Sequence, residues 1–423
     1  MKQTIEPCQL NGTIKVPASK SVQQRAYTAA LLRKGTTVLH NPGRSFDDAT
    51  ALSIIQQLGA KVSDDGDHIT IESEGWEGIY NSSCNAIDCG ESGLSARMFT
   101  PIAAISPNKI KITGHGSLLN RPFQFFEDYL PKIGVSVNSN EGKLPLEIQG
   151  PLKPKNISIY GGESSQYTTG LLMAYSALPN HQAEIDVEDL KSKPYIDLTL
   201  AIINAFGLRV PETQAYSKFK FLSDNASLET NILEYTPEAD WSNAAFWLVA
   251  AAMHGNILVE GLNLDSPQGD KAILDVLAQA SCSVITLKQG INIKSDTIGA
   301  FNFDATNCPD LFPPLVVLAA IGNGISSIKG VHRLHSKESD RAKTLNSEFG
   351  KMGVEISVKD DTMFISGGSK LIGAEVSSCN DHRIAMALAI TATKAEGITT
   401  IDQSEAVNKS YPEFFEHLAL LKQ

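Results

Sequence analysis

Short runs of alternating apolar and polar residues recur along the chain, at 36–39, 109–112, 183–187, 256–259, 325–328 and 398–401, and predict β-strands. Their starts lie 69 to 74 residues apart, so the pattern is an internal repeat. Most follow a glycine or a small polar turn, among them Gly35, Gly255, Gly324 and Gly397. A polar loop and an amphipathic helix follow each of the first five. Four of these helices stop at a glycine, at Leu58-Gly59, Ile133-Gly134, Phe206-Gly207 and Met352-Gly353. Ala280 stands where the fifth glycine is expected, which makes the fourth unit the least regular. Paired short strands come next, for example 60–63 and 68–71 around the turn 64–67.

A second series interleaves with the first. Polar helix starts occur at 19–21, 90–93, 164–166, 240–242, 309–310 and 380–383, about seventy residues apart. Each leads into an apolar helix such as 26–32 or 384–395. The unit is therefore strand-helix-strand-helix-strand-strand, in six copies. Helices that are amphipathic or wholly apolar must pack on sheets or on one another. A period near seventy is long for a solenoid, so the expected fold is α/β, as two globular domains of three units each. The break should fall near 234–240. The first strand, 12–16, needs a partner, and the N-terminus is expected to cross back to the second domain.

With 423 residues, two or more cores are expected. No run of eighteen apolar residues and no N-terminal secretion signal is apparent. The six scattered cysteines form no CxxC pair and read as reduced thiols in a cytoplasmic protein. A net charge of −11 argues against nucleic acid or an anionic membrane as partner. Against that acidic background, cations at helix starts stand out.

Helix starts bind anions through exposed N–H groups and the positive end of the dipole. Lys20, Ser21 and Arg25 share one such start, although Ser-Lys-Ser taken alone is better accounted for by a capped helix with a solvated lysine. Arg121-Pro122 precedes another helix, with Gly114 and Gly116 freeing the loop. Ser164, Ser165 and Gln166 offer hydroxyls and an amide to a phosphate or a sugar-like ligand. The string 336–341, Ser-Lys-Glu-Ser-Asp-Arg, sets two cations and two carboxylates at a helix start, where cations are disfavoured unless an anion joins them. Asn380-Asp381-His382-Arg383 is similar. The nine histidines show no metal-ligand spacing, and no GxGxxG or Walker motif occurs, so neither a metal site nor a nucleotide fold is expected.

Taken together these strings resemble the 5-enolpyruvylshikimate-3-phosphate synthase family, a branch of the enolpyruvyl transferases, over essentially the whole length. Ser19 to Ser21 with Arg25, Gly93 within 90–97, Arg121-Pro122, 164–166, 192–197, Gln268-Gly269-Asp270, Pro309-Asp310, 337–341, 380–383, and Lys409 with Pro412 carry the resemblance, in order. The resemblance implies a two-domain inside-out α/β fold, each domain built of three βαβαββ units, with 18–237 on the shikimate-phosphate side, 1–17 and 238–423 forming the second domain, and the active site in the cleft between. It implies transfer of the carboxyvinyl group of phosphoenolpyruvate to shikimate 3-phosphate, without cofactor or metal, by a monomer.

Carried over residue by residue, Ser21, Arg25, Ser164, Ser165, Gln166, Ser192 and Tyr195 look like the shikimate 3-phosphate pocket, with Asp310 and Lys337 reaching ring hydroxyls. Lys20, Gly93, Arg121, Gln166, Arg341, Arg383 and Lys409 look like the phosphoenolpyruvate clamp, with His382 beside it. Domain closure on ligand is the expected consequence. Asp310 is the expected base for the 5-hydroxyl and Glu338 the acid–base group at C3, with Lys20 sharing proton transfer or steadying charge.

The chain departs from the family pattern at Glu91, Leu94 and Met98, where an Asn-Ala/Ser-Gly-Thr motif and a later proline are usual, and at Arg333, in place of an asparagine. Glu91 brings a carboxylate towards the anion clamp, and altered sensitivity to glyphosate is expected. A rival is the UDP-N-acetylglucosamine enolpyruvyl transferase family, but 114–121 lacks the cysteine usual there. A silent anion-binding scaffold is the alternative outside enzymes.

Overall fold

The computed structural model describes residues 1–222, 232–335 and 337–423, so Ser336 of the 336–341 string lies outside the described residues. The chain divides into two compact units, Ala18–Pro237, and Met1–Pro17 with Glu238–Gln423.

In the unit Ala18–Pro237, three four-stranded sheets are described, built around the strands Lys34–His40, Lys109–Thr113 and Ala183–Glu188. Each central strand has one parallel neighbour and one antiparallel neighbour that belongs to a hairpin. The helices Lys20–Leu32, Gly93–Ala103 and Ser165–Ala177 are buried on nearly every side. A helix without a wet face has to lie inside the unit, with the sheets and the amphipathic helices around it. Its core runs from Val22 through Phe99, Phe126 and Leu171 to Phe221.

The unit formed by Met1–Pro17 and Glu238–Gln423 repeats this plan around Asn256–Glu260, Gly324–Lys329 and Thr399–Asp402. Its inner helices are Trp241–His254, Phe312–Ile321 and His382–Ala392. Asn11–Lys15 pairs in parallel with Asn256–Glu260, so the strand expected at 12–16 finds its partner here. Lys2–Ile5 pairs antiparallel with Thr399–Asp402.

Two differences from the sequence pattern follow from this pairing. The sixth copy has no hairpin of its own. Its sheet has three described strands, and Lys2–Ile5 occupies the place a hairpin strand takes in the other sheets. In the first copy, the strand before the first inner helix goes to the other unit's sheet, and Ile232–Tyr235 replaces it beside Lys34–His40.

The glycine stops are Schellman motifs. Gly59, Gly134, Gly207 and Gly353 all have positive φ, between 67° and 111°. The amide of each bonds three residues back, and the next amide bonds five residues back. In the fourth copy the same two bonds are made by Ser281 and Cys282, and Ser281 has φ 64°. The left-handed residue is therefore Ser281. Ala280, expected at that position, is the ordinary residue before it, with φ −76°.

Candidate active site

In both units the polar starts of the inner helices come together. In the unit Ala18–Pro237, Gln24 accepts from Ser92 Oγ at 3.4 Å and Ser95 Oγ at 3.2 Å, tying the first helix start to the second. Arg97 Nη1 donates to Gln166 Oε1 at 3.0 Å, tying the second to the third.

Two cationic groups result. Arg25 is 1 % exposed, and its guanidinium donates to Thr199 Oγ1 at 2.9 Å, the Ser21 carbonyl at 2.8 Å and Thr169 Oγ1 at 3.4 Å. Its carbon lies 6.0 Å from the centre of the Tyr195 ring. All these partners are neutral, and burial pulls the guanidinium down to about 10. A buried cation facing only neutral oxygens is stabilised by an incoming anion. Ser192 lies at the start of the helix that carries Tyr195 and Thr199, buried and in the left-handed region at φ 54°.

The second group forms at Gly93. A β-carbon there would overlap Arg121 Nη1 and come within 2.9 Å of Arg97 Nη1, so a side chain at this position would have to push both guanidinium groups aside. Arg97 also lies over the rings of Phe123 and Tyr167, at 5.3 and 5.2 Å. Ser164 caps the third helix by accepting from the Gln166 amide at 3.3 Å, and Ser165 is buried in its first turn. Lys20 donates to Asp47 at 2.9 Å, with both side chains largely covered. Glu91 accepts from the amide and hydroxyl of Ser117, at 3.1 and 3.2 Å, across Gly116. The loop after the second repeat strand thus closes on this carboxylate, and Gly116 has φ 58° with no room for a β-carbon.

The other unit gathers its charges around Arg341. This guanidinium, 1 % exposed, donates from Nε and Nη2 to Asp381 at 2.7 and 3.2 Å, from Nη1 to Asp310 at 2.7 Å, and from Nη2 to Glu338 at 2.6 Å. Lys337 reaches Asp310 at 3.1 Å and Arg383 reaches it at 3.3 Å. Asp310 thus meets three cations. Burial alone would raise its carboxyl, but Arg383, Lys337 and Arg341 hold it well below the usual carboxylate range. Burial lowers the Lys337 ammonium, with Asp310 opposing that. Asp381 caps its helix by accepting from the Arg383 amide at 3.0 Å. Lys409 is buried and donates to the Asn380 carbonyl at 2.8 Å, and His382 is buried in the first turn beside it.

The string 337–341 ends in a helix start at Arg341, so Lys337 and Glu338 sit in the preceding loop, and Lys337 and Arg341, four residues apart, do not form a pair on one helix face. Asp340 is the cap, accepting from the Lys343 amide at 3.3 Å.

Among the residues sequence reasoning put forward, the structure groups Ser21, Arg25 and Tyr195 in one place and Gly93, Arg121 and Gln166 in another. It groups Asp310, Lys337, Glu338, Arg341 and Arg383 in a third. Arg97, Asp47, Thr169, Thr199, Asp270 and Asp381 were not singled out as site residues, yet each joins one of these groups or borders it. Helical spacing carried part of the signal. Arg97 is four residues past Gly93, Thr169 four past Ser165, and Thr199 four past Tyr195.

Cations gathered at helix mouths, beside a carboxylate kept ionised, define an enzyme that acts on small anionic metabolites. A family model described as EPSP synthase (3-phosphoshikimate 1-carboxyvinyltransferase) matches residues 5–418. The 3-phosphoshikimate 1-carboxyvinyltransferase of Clostridium acetobutylicum is 38 % identical over 419 residues, 99 % of this chain and 96 % of that one. Its namesake in Clostridium novyi is 34 % identical, over 97 % of this chain and 95 % of that one. A solved EPSP synthase from Acinetobacter baumannii has the same fold, with a TM-score of 0.81 at 24 % identity over 100 % of this chain and 98 % of the other. The enolpyruvyl transferase NikO from Streptomyces tendae shares it too, with a TM-score of 0.77 at 15 % identity over 99 % and 96 % of the two chains. The chain belongs to the EPSP synthase family, whose members are 3-phosphoshikimate 1-carboxyvinyltransferases.

Proposed function

We propose that this enzyme transfers the enolpyruvyl group of phosphoenolpyruvate to the 5-hydroxyl of shikimate 3-phosphate and releases phosphate, in the route to chorismate and aromatic amino acids. Membership of the family supports the reaction. The roles of individual residues are our own reading, and one observation carries it: Asp310, its side chain 20 % exposed, sits among three cations and is kept ionised by them.

In this reading the phosphate of shikimate 3-phosphate is held by Arg25 with Ser21, Ser164, Ser165, Gln166, Ser192 and Tyr195. Its ring hydroxyls are met by Asp310 and Lys337. Phosphoenolpyruvate is held by Lys20, Gly93, Arg121, Gln166, Arg341, Arg383 and Lys409, with His382 behind the last pair.

Asp310 takes the proton of the 5-hydroxyl as that oxygen attacks C2 of phosphoenolpyruvate. Glu338 delivers a proton to C3 and later removes one as phosphate leaves, restoring the vinyl group. Lys20 steadies the charge that develops on the phosphate side. In the free protein Asp310 is a weak base, because three cations stabilise its carboxylate. Binding a multiply charged anion to those cations offsets their field and raises the basicity of Asp310 when the substrate is present.

The test is phosphate release by the purified protein. Release with shikimate 3-phosphate and phosphoenolpyruvate, and none with UDP-N-acetylglucosamine as acceptor, is the expected result. Release only with the nucleotide sugar would overturn the proposal, and binding without release would support a scaffold. Asp310→Ala and Glu338→Ala are each expected to lower turnover about 10²–10⁴-fold. Wild-type turnover in either variant removes that residue from the mechanism.

A further inference from the structure

Behind the Asp310–Arg383 pair lies a second carboxyl that the scheme above does not use. Asp270 sits in the turn Gly269–Ala272, 1 % exposed, at the starts of the inner helices of its unit. One of its oxygens takes the hydroxyl of Ser242, which belongs to the first turn of Trp241–His254. Its other oxygen is buried without a hydrogen-bond partner. Arg383 Nη1 is likewise buried without one, although Nη2 of the same guanidinium lies 3.3 Å from Asp310.

The charged and titratable groups that bear on Asp270 are Asp310, Arg383 and Asp240, with the Cys308 thiol also feeling its charge. Arg383 is the only cation among these four. Three carboxyls, Asp310, Asp270 and Asp240, therefore bear on one guanidinium. Like charges that share one counter-charge cannot all ionise freely, and a buried one without a cation of its own keeps its proton longer. Asp310 has Lys337 and Arg341 in addition, so Asp270 is the group that keeps its proton. Burial, then the Asp310 charge, raises the Asp270 carboxyl to about 6, with Arg383 and the Ser242 hydroxyl opposing.

We propose that Asp270 is a positioning residue that sets how much of the Arg383 charge is available to an anionic substrate, by being neutral when the anion binds and competing with it when ionised. The inference rests on the reading that Arg383 holds phosphoenolpyruvate. As pH rises through about 6, Asp270 loses its proton and becomes a second carboxylate against Arg383. An anion bound at Arg383 favours the protonated form. Anion affinity therefore falls as pH rises, by at most about tenfold per pH unit, since one proton is linked to one binding event. The ligand's own ionisation is the same for every variant and cancels in the ratio of variant to wild type.

The experiment measures the KM for phosphoenolpyruvate and kcat from pH 5.5 to 8.5 in wild type, Asp270→Asn and Ser242→Ala. Asp270→Asn keeps the shape and removes the titration. Its KM is expected to lack the rise seen in wild type, so the variant-to-wild-type ratio falls about tenfold or more across the range, while the pH profile of kcat keeps its form. Ser242→Ala removes a hydrogen bond that favours the ionised form, so the rise in KM is expected to move to higher pH. A purely structural role would raise or lower KM without changing its dependence on pH.

Should Asp270→Asn not fold, the Ser242→Ala shift decides. Parallel KM profiles in the folded variants overturn the inference. A wild type that shows no turnover with shikimate 3-phosphate strikes at the reaction assigned above. In that event calorimetric titration with inorganic phosphate over the same pH range decides the role of Asp270. Loss of the pH-dependence in the variant supports it, and its persistence overturns it.

Discussion

Replacing Arg341 by lysine keeps the charge and removes the geometry. The guanidinium reaches Asp381, Asp310 and Glu338 at once, through four hydrogen bonds of 2.6 to 3.2 Å. An ammonium on a shorter, unforked head can serve one or two of these carboxylates. Asp381 is 0 % exposed and has Arg341 as its cation, so it suffers most. Removing one partner of a buried ion pair costs about 3–5 kcal/mol, and each lost hydrogen bond to a charged group about 1.5–3 kcal/mol. The retained positive charge recovers part of this, leaving an expected loss of about 3 kcal/mol. The loss falls on the unit that contains Glu238–Gln423, because Arg341 and all its partners lie there. Calorimetry that resolves the two units should show one transition lowered by roughly 6–12 °C and the other unmoved. Turnover should fall about 10²–10³-fold, as for a lost preorganised donor. If the affected transition stays within about 1 kcal/mol of wild type and turnover within tenfold, the three carboxylates do not depend on the fork of Arg341, and the reasoning from geometry fails.

Three further substitutions probe other parts of the molecule. Gly93→Ala puts a methyl group where Arg121 and Arg97 converge, so the KM for phosphoenolpyruvate should rise about 10- to 100-fold while shikimate 3-phosphate affinity, read by calorimetry, changes little. Arg25→Gln removes a buried cation whose partners are all neutral; shikimate 3-phosphate should bind about 10- to 100-fold more weakly, with folding stability unchanged or slightly raised in a urea titration. His254 accepts from the Leu10 amide at 3.3 Å and meets Thr393 Oγ1 at 2.9 Å, and burial lowers its imidazole from 6.5 to about 4. The folded state thus favours the neutral ring, so stability is complete above pH 6.5 and declines as pH falls from 6.5 towards 4, by about 3 kcal/mol at most. His254→Gln should flatten that part of the profile, and an unchanged acid loss would assign it to other groups.

The repeat was legible because two series, the strands and the polar helix starts, recur about every seventy residues along the chain. The pattern did not say which sheet a strand joins. The N-terminus was expected to cross back, and Asn11–Lys15 does so, but nothing in the chain marks Ile232–Tyr235 as the strand that takes its place beside Lys34–His40, since alternation specifies a face and not a neighbour. Ser281 was missed because the expected residue type was glycine, while the hydrogen-bond pattern accepts a serine at φ 64°. In the site, charged residues in unusual strings were easy to find. Thr169 and Thr199 were not, because a threonine inside a helix is common, and Asp270, though part of the Gln268-Gly269-Asp270 string, was given no role, since only packing shows what these residues face. Glu91 was visible as a departure, but its bond to Ser117 needs the loop in three dimensions.

The pairing of Lys2–Ile5 with Thr399–Asp402, and of Asn11–Lys15 with Asn256–Glu260, has a consequence for assembly. These strands leave the ribosome long before their partners exist, and they wait as unpaired edges while Ala18–Pro237 has everything it needs to close. The second unit is then a clasp that snaps shut only after the last sheet is translated. A permuted chain that opens at an exposed loop and joins residue 423 to residue 1 would carry both sides of the clasp together.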